Sequence, residues 1–298
     1  GVCGGGGGGG GWAIQRKLQK PIYWFHIPKC NSQFGKSILL SLPQTCNNMS
    51  QEARESTISG DTPDSWCDDH SMAPAQGGKC EEQCSGDIAD LYGTLGISFG
   101  DHSGIGLIYS QHVQGRGMVI LRQPEQRLLS AYSDSYHSWP LAYFRRDPTD
   151  EVEFASVVGG CMTKMMTRSS VSNGHGTSMG RFTDVSSCGD PNPVTAEELT
   201  RAVSQLQGFA FVGLIEHYSL SICLFHAMFG GDCNKLDLEN DHEGSSNSSS
   251  GSGYDVGVLQ GWTDVNDRVL YAEGQRTFLE HLELYSVTDA SCSTTCYS

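Results

Sequence analysis

Met118-Val119-Ile120-Leu121-Arg122-Gln123-Pro124-Glu125-Gln126-Arg127-Leu128-Leu129-Ser130-Ala131-Tyr132 reads as an apolar strand, a short turn carrying a cation, and a helix. The unbroken apolar run at 118–121 fits a strand buried on both faces. Pro124 suits the first turn of a helix, because it lacks an N–H that would have no intrahelical partner there. Leu128, Leu129 and Tyr132 then recur at helical spacing. Far upstream, Phe25-His26-Ile27-Pro28-Lys29-Cys30-Asn31-Ser32-Gln33-Phe34 repeats the same order of strand, cationic loop and helix. Such an order puts positive charge and helix N-terminal N–H groups at one sheet edge, where phosphate is stabilised. Two such segments in one domain point to a ligand with two separate phosphates.

The pattern around these segments is that of an α/β protein. Strands are expected at 22–27, 118–121 and 209–215, with a possible one at 96–99. Helices are expected at 34–42, from 88 to 92, at 218–229 and, last in the chain, at 266–284. Thr195-Ala196-Glu197-Glu198 is a helix start with a nearby carboxylate, leading into 199–206. Strands alternating with helices imply a parallel, doubly wound sheet. Residues 12–298 read as a single α/β domain. The nearly all-glycine stretch 1–11 is expected to be a disordered tail, and 243–253 a flexible Ser/Gly loop. Stretches 47–86 and 169–193 are polar, loop-rich and contain cysteines.

The chain is acidic, with a formal net charge of −15, which argues against nucleic acid as a partner. Its cations are nevertheless concentrated. Residues 12–44 carry Arg16, Lys17, Lys20, Lys29 and Lys36 and no carboxylate. Residues 116–146 hold Arg116, Arg122, Arg127, Arg145 and Arg146 against Glu125 and Asp134. The acids crowd instead into 52–101 and 237–298. Positive charge thus coincides with the two segments expected to meet phosphate.

Twelve cysteines favour disulfides in an oxidising compartment over a zinc site, since Cys80 and Cys84, or Cys292 and Cys296, lack a matching ligand pair. The sequons at Asn48 and Asn247 agree with that compartment. No signal peptide or apolar run of transmembrane length is apparent, so membrane attachment is expected only through an anchor outside this sequence.

The two phosphate-directed segments resemble the nucleotide-binding motifs of sulfotransferases that use 3′-phosphoadenosine 5′-phosphosulfate (PAPS), and most of all those of Golgi carbohydrate sulfotransferases of the heparan sulfate 2-O type. His26-Ile27-Pro28-Lys29 is similar to the loop that holds the 5′-phosphosulfate in that family. Arg122-Gln123-Pro124-Glu125-Gln126-Arg127-Leu128-Leu129-Ser130 is similar to the segment that holds the 3′-phosphate. The likeness extends to 209–230 and, more weakly, to 264–284. It implies a P-loop-NTPase-like doubly wound fold, PAPS as the donor, no metal, a hydroxyl of a carbohydrate as the acceptor, and residence in the Golgi lumen or secretory pathway.

Carried over residue by residue, the resemblance makes Lys29, Cys30, Asn31, Ser32, Gln33 and Phe34 the 5′-phosphate loop, with Arg122 and Ser130 as ligands of the 3′-phosphate. Asn31 and Gln33 stand where the family usually has glycine or Thr. Lys29 would stabilise negative charge on the bridging oxygen of the leaving group. His102 is the expected base for the acceptor hydroxyl, with His112 as its competitor. His26 is expected to be structural or a neighbour of the adenosine. Arg127 is expected to pair with Glu125 or Asp134, or else to bind the phosphate. Lys164 and Arg168 are read as solvated charge or contacts for an anionic acceptor, and Glu216 as structural. Two other readings stand beside this one. Phe34-Gly35-Lys36-Ser37 ends like the phosphate loop of an NTPase or kinase, although that motif requires glycine where Cys30 stands. A non-catalytic nucleotide- or glycan-binding relative is the other.

Overall fold

The buried run after Arg116 forms the centre of a small parallel sheet. The structure, a computed structural model, describes residues 23–30, 34, 98–99, 104–169, 187–230, 233 and 253–296. Four strands are hydrogen-bonded in the order β2-β1-β3-β4: β1 Tyr23–Trp24, β2 Ser98–Phe99, β3 Gly117–Leu121 and β4 Phe211–Leu214. All three pairings are parallel. Every residue of β3 and β4 is buried, as expected of strands covered on both faces. Their register, Met118 opposite Phe211 through Leu121 opposite Leu214, keeps the two apolar runs aligned along their length.

The chain is therefore α/β, a small parallel sheet flanked by helices. Helices follow at Pro124–Ser133 (α1), Leu141–Phe144 (α2), Glu151–Val158 (α3), Cys161–Thr167 (α4), Ala196–Gln207 (α5), Tyr218–Phe229 (α6), Val265–Leu284 (α7) and Asp289–Cys296 (α8). Pro124 is the first residue of α1, as its missing N–H suggests. Thr195 caps α5 in a reciprocal box, accepting from the Glu198 N–H while the Glu198 carboxylate accepts from the Thr195 N–H at 2.9 Å. α7 crosses close to β3 because Gly274 faces it: a Cβ there would lie 2.3 Å from Leu121 Cδ1.

The structure departs from the expected elements in three places. The helix expected to be last is followed by α8, which buries Cys292 and Cys296 against the core. The stretch before residue 169, unassigned from sequence, forms α3 and α4, broken by Gly160 in a left-handed conformation. The expected strand 22–27 pairs regularly only at Tyr23–Trp24, although the Phe25 N–H still reaches Met118 O at 2.9 Å. The helix at 34–42, apart from Phe34, the helix from 88 to 92, both sequons, residues 1–11 and the stretches 47–86 and 243–252 lie outside the described residues.

Disulfides join Cys161 to Cys188, Cys223 to Cys292 and Cys233 to Cys296. Cys292 and Cys296 thus bind sulfur partners rather than serving as a zinc pair, and together they pin α8 to α6 and the segment after it. These bridges are compatible with a secretory or lumenal protein. No described helix is long and apolar enough to cross a membrane.

Candidate functional site

The strand order sets where a ligand would bind. The chain leaves β1 for β2 on one side and leaves β3 for β4 on the other, so the sheet's switch point lies between β1 and β3. In open parallel sheets, ligands settle outside the carboxyl ends of the strands at such a point. The two cationic segments follow β1 and β3.

After β1 the buried residues Phe25 and Ile27 lead to a turn closed by the Cys30 N–H on Ile27 O at 3.1 Å. Pro28 occupies its second position and Lys29 its third, with φ at 63°. A positive φ there is a glycine-like conformation, costing a lysine about 1 kcal/mol. The strain of this turn thus falls on the cation itself. Lys29 Nζ pairs with Asp134 Oδ2 at 3.0 Å, and His137 Nδ1 lies 3.7 Å from the same oxygen. Burial, then the charges of Lys29, His26 and Arg127, push His137 down to about 3, so its imidazole is neutral at physiological pH.

After β3, Arg122 donates from Nη1 to Lys29 O at 3.3 Å, which links the two turns directly. Its guanidinium carbon lies 5.7 Å from the centre of the Tyr254 ring. Gln126 fixes Tyr254 by accepting from its N–H at 2.7 Å and donating to its carbonyl at 2.8 Å. No carboxylate among the described residues pairs with Arg122. The helix N-terminus beside it is less available than expected. Pro124 has no N–H, the Gln123 side chain accepts from the Gln126 N–H at 2.7 Å, and the Gln123 N–H donates to Glu216 Oε1 at 2.7 Å. Anion affinity at this edge therefore falls to the side chains. Glu216 is structural, as expected: it also accepts from the Tyr271 hydroxyl at 2.8 Å and so ties α7 to the turn after β3.

Three assignments change in meaning. The Phe34 ring is fully buried and stacks between Trp24 at 5.6 Å and Phe211 at 5.5 Å, so its side chain anchors the loop in the core. The Cys30 thiol is buried and pushed up to about 12, chiefly by desolvation, so a thiolate does not form there at neutral pH. Both residues have only their backbone to offer a ligand. Ser130 is buried on α1, three residues after Arg127 and four before Asp134, on the side of the helix that meets the Lys29 turn through Asp134. Asn31, Ser32, Gln33 and His102 lie outside the described residues. His112 is exposed, on the single π-helical turn Tyr109–Val113.

Lys164 and Arg168 are neither solvated nor free for an acceptor. Lys164 is buried and donates to Asp190 O at 2.7 Å and Val157 O at 3.1 Å; burial pulls its ammonium down to about 8. Arg168 grips Glu198 with two nitrogens, at 2.7 and 2.9 Å, and holds that carboxyl down at about 2. Arg127 does not pair with Glu125 or Asp134 as expected. Glu125 is taken by Arg268 at 2.7 Å and Asp134 by Lys29. Tyr254 and His137 carried no signal strong enough to be named from sequence, although His137 continues the helical spacing of Ser130 and Asp134. No family model, no curated protein and no solved structure matches this chain.

Proposed function

We propose that the chain is a sulfotransferase that moves the sulfuryl group of PAPS to a hydroxyl, most naturally of a carbohydrate, on a P-loop-NTPase-like doubly wound fold in the Golgi lumen or secretory pathway. The observation that carries this reading is the meeting of Lys29 and Arg122 at the switch point, with Arg122 lacking any described carboxylate partner. A ligand with two anionic groups would give Arg122 a partner and replace Asp134 at Lys29, and a guanidinium offers phosphate a planar fork of donors.

The proposed step is an in-line displacement. The acceptor oxygen forms a bond to sulfur as the bond from sulfur to the 5′-phosphate oxygen breaks. That bridging oxygen takes the electron pair beside Lys29, and His102 takes the acceptor proton. Lys29 is suited to its part because it sits in the turn after β1, where a point charge can be set against developing negative charge. No step in this scheme requires a metal. An acidic surface overall favours a weakly charged acceptor over a densely sulfated polymer.

Calorimetric titration with 3′,5′-adenosine bisphosphate and, separately, with ATP tests the reading in wild type and Arg122→Ala. Micromolar binding of the bisphosphate, weakened roughly 100-fold in the variant and absent for ATP, is the expected result. A preference for ATP would replace this reading with the kinase or NTPase one. Binding without any sulfuryl turnover would leave a nucleotide-binding relative.

A further inference from the structure

Arg127 is the largest fully buried side chain of the described residues, and no described carboxylate forms an ion pair with it. Among the described residues, its Nε and Nη2 atoms have no hydrogen-bond partner, and Nη1 reaches only Cys188 Sγ at 4.0 Å. A disulfide sulfur is a weak acceptor. Both carboxylates near it in sequence are committed elsewhere, Glu125 to Arg268 and Asp134 to Lys29. Asp264 feels the charge of Arg127 but accepts from the Gly160 and Asp267 N–H groups. Buried guanidinium groups are normally paired and fully hydrogen-bonded, because an unpaired one loses its hydration without replacement.

The position of this charge relates it to the switch point. Arg127, Ser130 and Asp134 follow one another at helical spacing and share one side of α1. Asp134 meets Lys29 from that side. Arg127 is also the strongest charge acting on the Cys30 thiol, ahead of Arg122, and it acts on His137 too. It therefore lies within electrostatic reach of the Lys29–Cys30 turn, whose Lys29 pairs with Asp134, the two side chains being 29% and 52% accessible.

We propose that Arg127 is an anion ligand: its free donors bind a tetrahedral oxyanion group, phosphoryl or sulfuryl, of the molecule held by Lys29 and Arg122. The anion takes over Lys29 from Asp134, and because Arg127 is fully buried its binding includes a local opening of the packing around the guanidinium. The identity of that molecule as a nucleotide bisphosphate rests on the proposed function; the role of Arg127 does not.

The test uses Arg127→Met and Arg127→Lys, titrated calorimetrically with 3′,5′-adenosine bisphosphate and with pyrophosphate, together with thermal unfolding without ligand. The expected result is that Arg127→Met unfolds at or above the wild-type temperature yet binds either probe about tenfold more weakly or worse, with Arg127→Lys in between. A merely structural arginine would give the reverse, a lowered unfolding temperature and unchanged affinity, and that would overturn the proposal. Should Arg127→Met fail to fold, Arg127→Lys decides alone, because loss of the fork weakens binding only if the fork holds the anion. Pyrophosphate binding that depends on Arg127, without bisphosphate binding, would uphold the anion ligand and refute the nucleotide reading. Bisphosphate binding lost in Arg122→Ala but untouched in both Arg127 variants would do the opposite. A wild type that binds neither probe would overturn both.

Discussion

Two regions of this molecule bury charge, and they treat it in opposite ways. At the junction of α4 and α7, Asp264 and Asp267 are almost wholly buried and surrounded by donors. Asp267 accepts from the Met162 N–H at 2.9 Å, the Thr163 N–H at 2.9 Å and the Thr163 hydroxyl at 2.8 Å. Asp264 accepts from the Gly160 N–H at 2.8 Å and the Asp267 N–H at 3.0 Å. These acids cap the starts of both helices and favour the helix dipoles. Around the switch point, by contrast, neither Arg122 nor Arg127 forms an ion pair with a described carboxylate, and Lys29 pairs with one that is half exposed. Saturated charge is architecture; unsaturated charge at a sheet's carboxyl edge is capacity for a ligand. If that distinction holds, damage to the acids should lower stability, and damage to the cations should lower binding.

The largest effect is expected at Asp267. Asp267→Ala leaves two N–H groups and a hydroxyl buried without acceptors, a loss on the order of 3 kcal/mol or more. Chemical denaturation should show it as a lowered midpoint with an unchanged slope, and Asp267→Asn should lose less. A stability within experimental error of wild type would erase the contrast on its acidic side.

Asp264 gives the acidic side a pH signature. Desolvation, and then the neighbouring Asp267, raise its carboxyl to about 7, against roughly 4 in an unfolded chain. The folded form therefore holds the proton more tightly through that interval. Stability should fall as pH rises from about 4 to about 7, by an amount on the order of a few kcal/mol, and level off above it. Unfolding free energies measured across this range should decline in wild type, and Asp264→Asn should flatten the decline. A rise of stability with pH that is the same in both proteins would remove Asp264 from the account.

Much of the cationic side was legible in the sequence, because its parts are local. The run 118–121, Pro124 and the leucines of α1 specify strand, cap and helix within fifteen residues or so, and the likeness of Phe25–Phe34 to the same pattern placed the first turn. The sequence could also assign Tyr218–Phe229, an almost wholly apolar helix, and the capping residue Thr195. What it could not supply were partners across long separations. Lys164 looks like a surface cation until Asp190 O and Val157 O close over it, and Asp267 looks like an exposed helical acid until Met162 and Thr163 arrive. The vacancy around Arg127 is of the same kind: Glu125 and Asp134 are near in sequence, but Arg268 and Lys29 reach them first.

Arg122→Ala should reverse the acidic pattern. The side chain is half-buried and joined to the fold by one hydrogen bond and a ring contact. Removing it should change stability by about 0.5 kcal/mol, in the range of substitutions away from structural features, yet weaken bisphosphate binding by roughly 100-fold, since charge-assisted phosphate contacts are worth a few kcal/mol. Equal losses of stability and affinity would mean that the two regions are not separate in function.

The smallest effect sharpens the comparison most, because it should run in the opposite direction. Asp134 is the described carboxylate that pairs with a cation of the switch point, and an anionic ligand must displace it from Lys29. An ion pair as exposed as this one contributes little, about 0–1 kcal/mol, so Asp134→Asn should leave the unfolding temperature nearly unchanged. It removes a competitor for Lys29, however, and binding of 3′,5′-adenosine bisphosphate should tighten by roughly two- to fivefold, an energy of the same size as the pair it dissolves. The gain should shrink with added salt, as the competition is electrostatic and partly solvent-exposed. Weaker binding in Asp134→Asn would show that the carboxylate orients Lys29 toward the ligand instead of withholding it, and the Lys29 turn would then belong with the saturated, architectural charges.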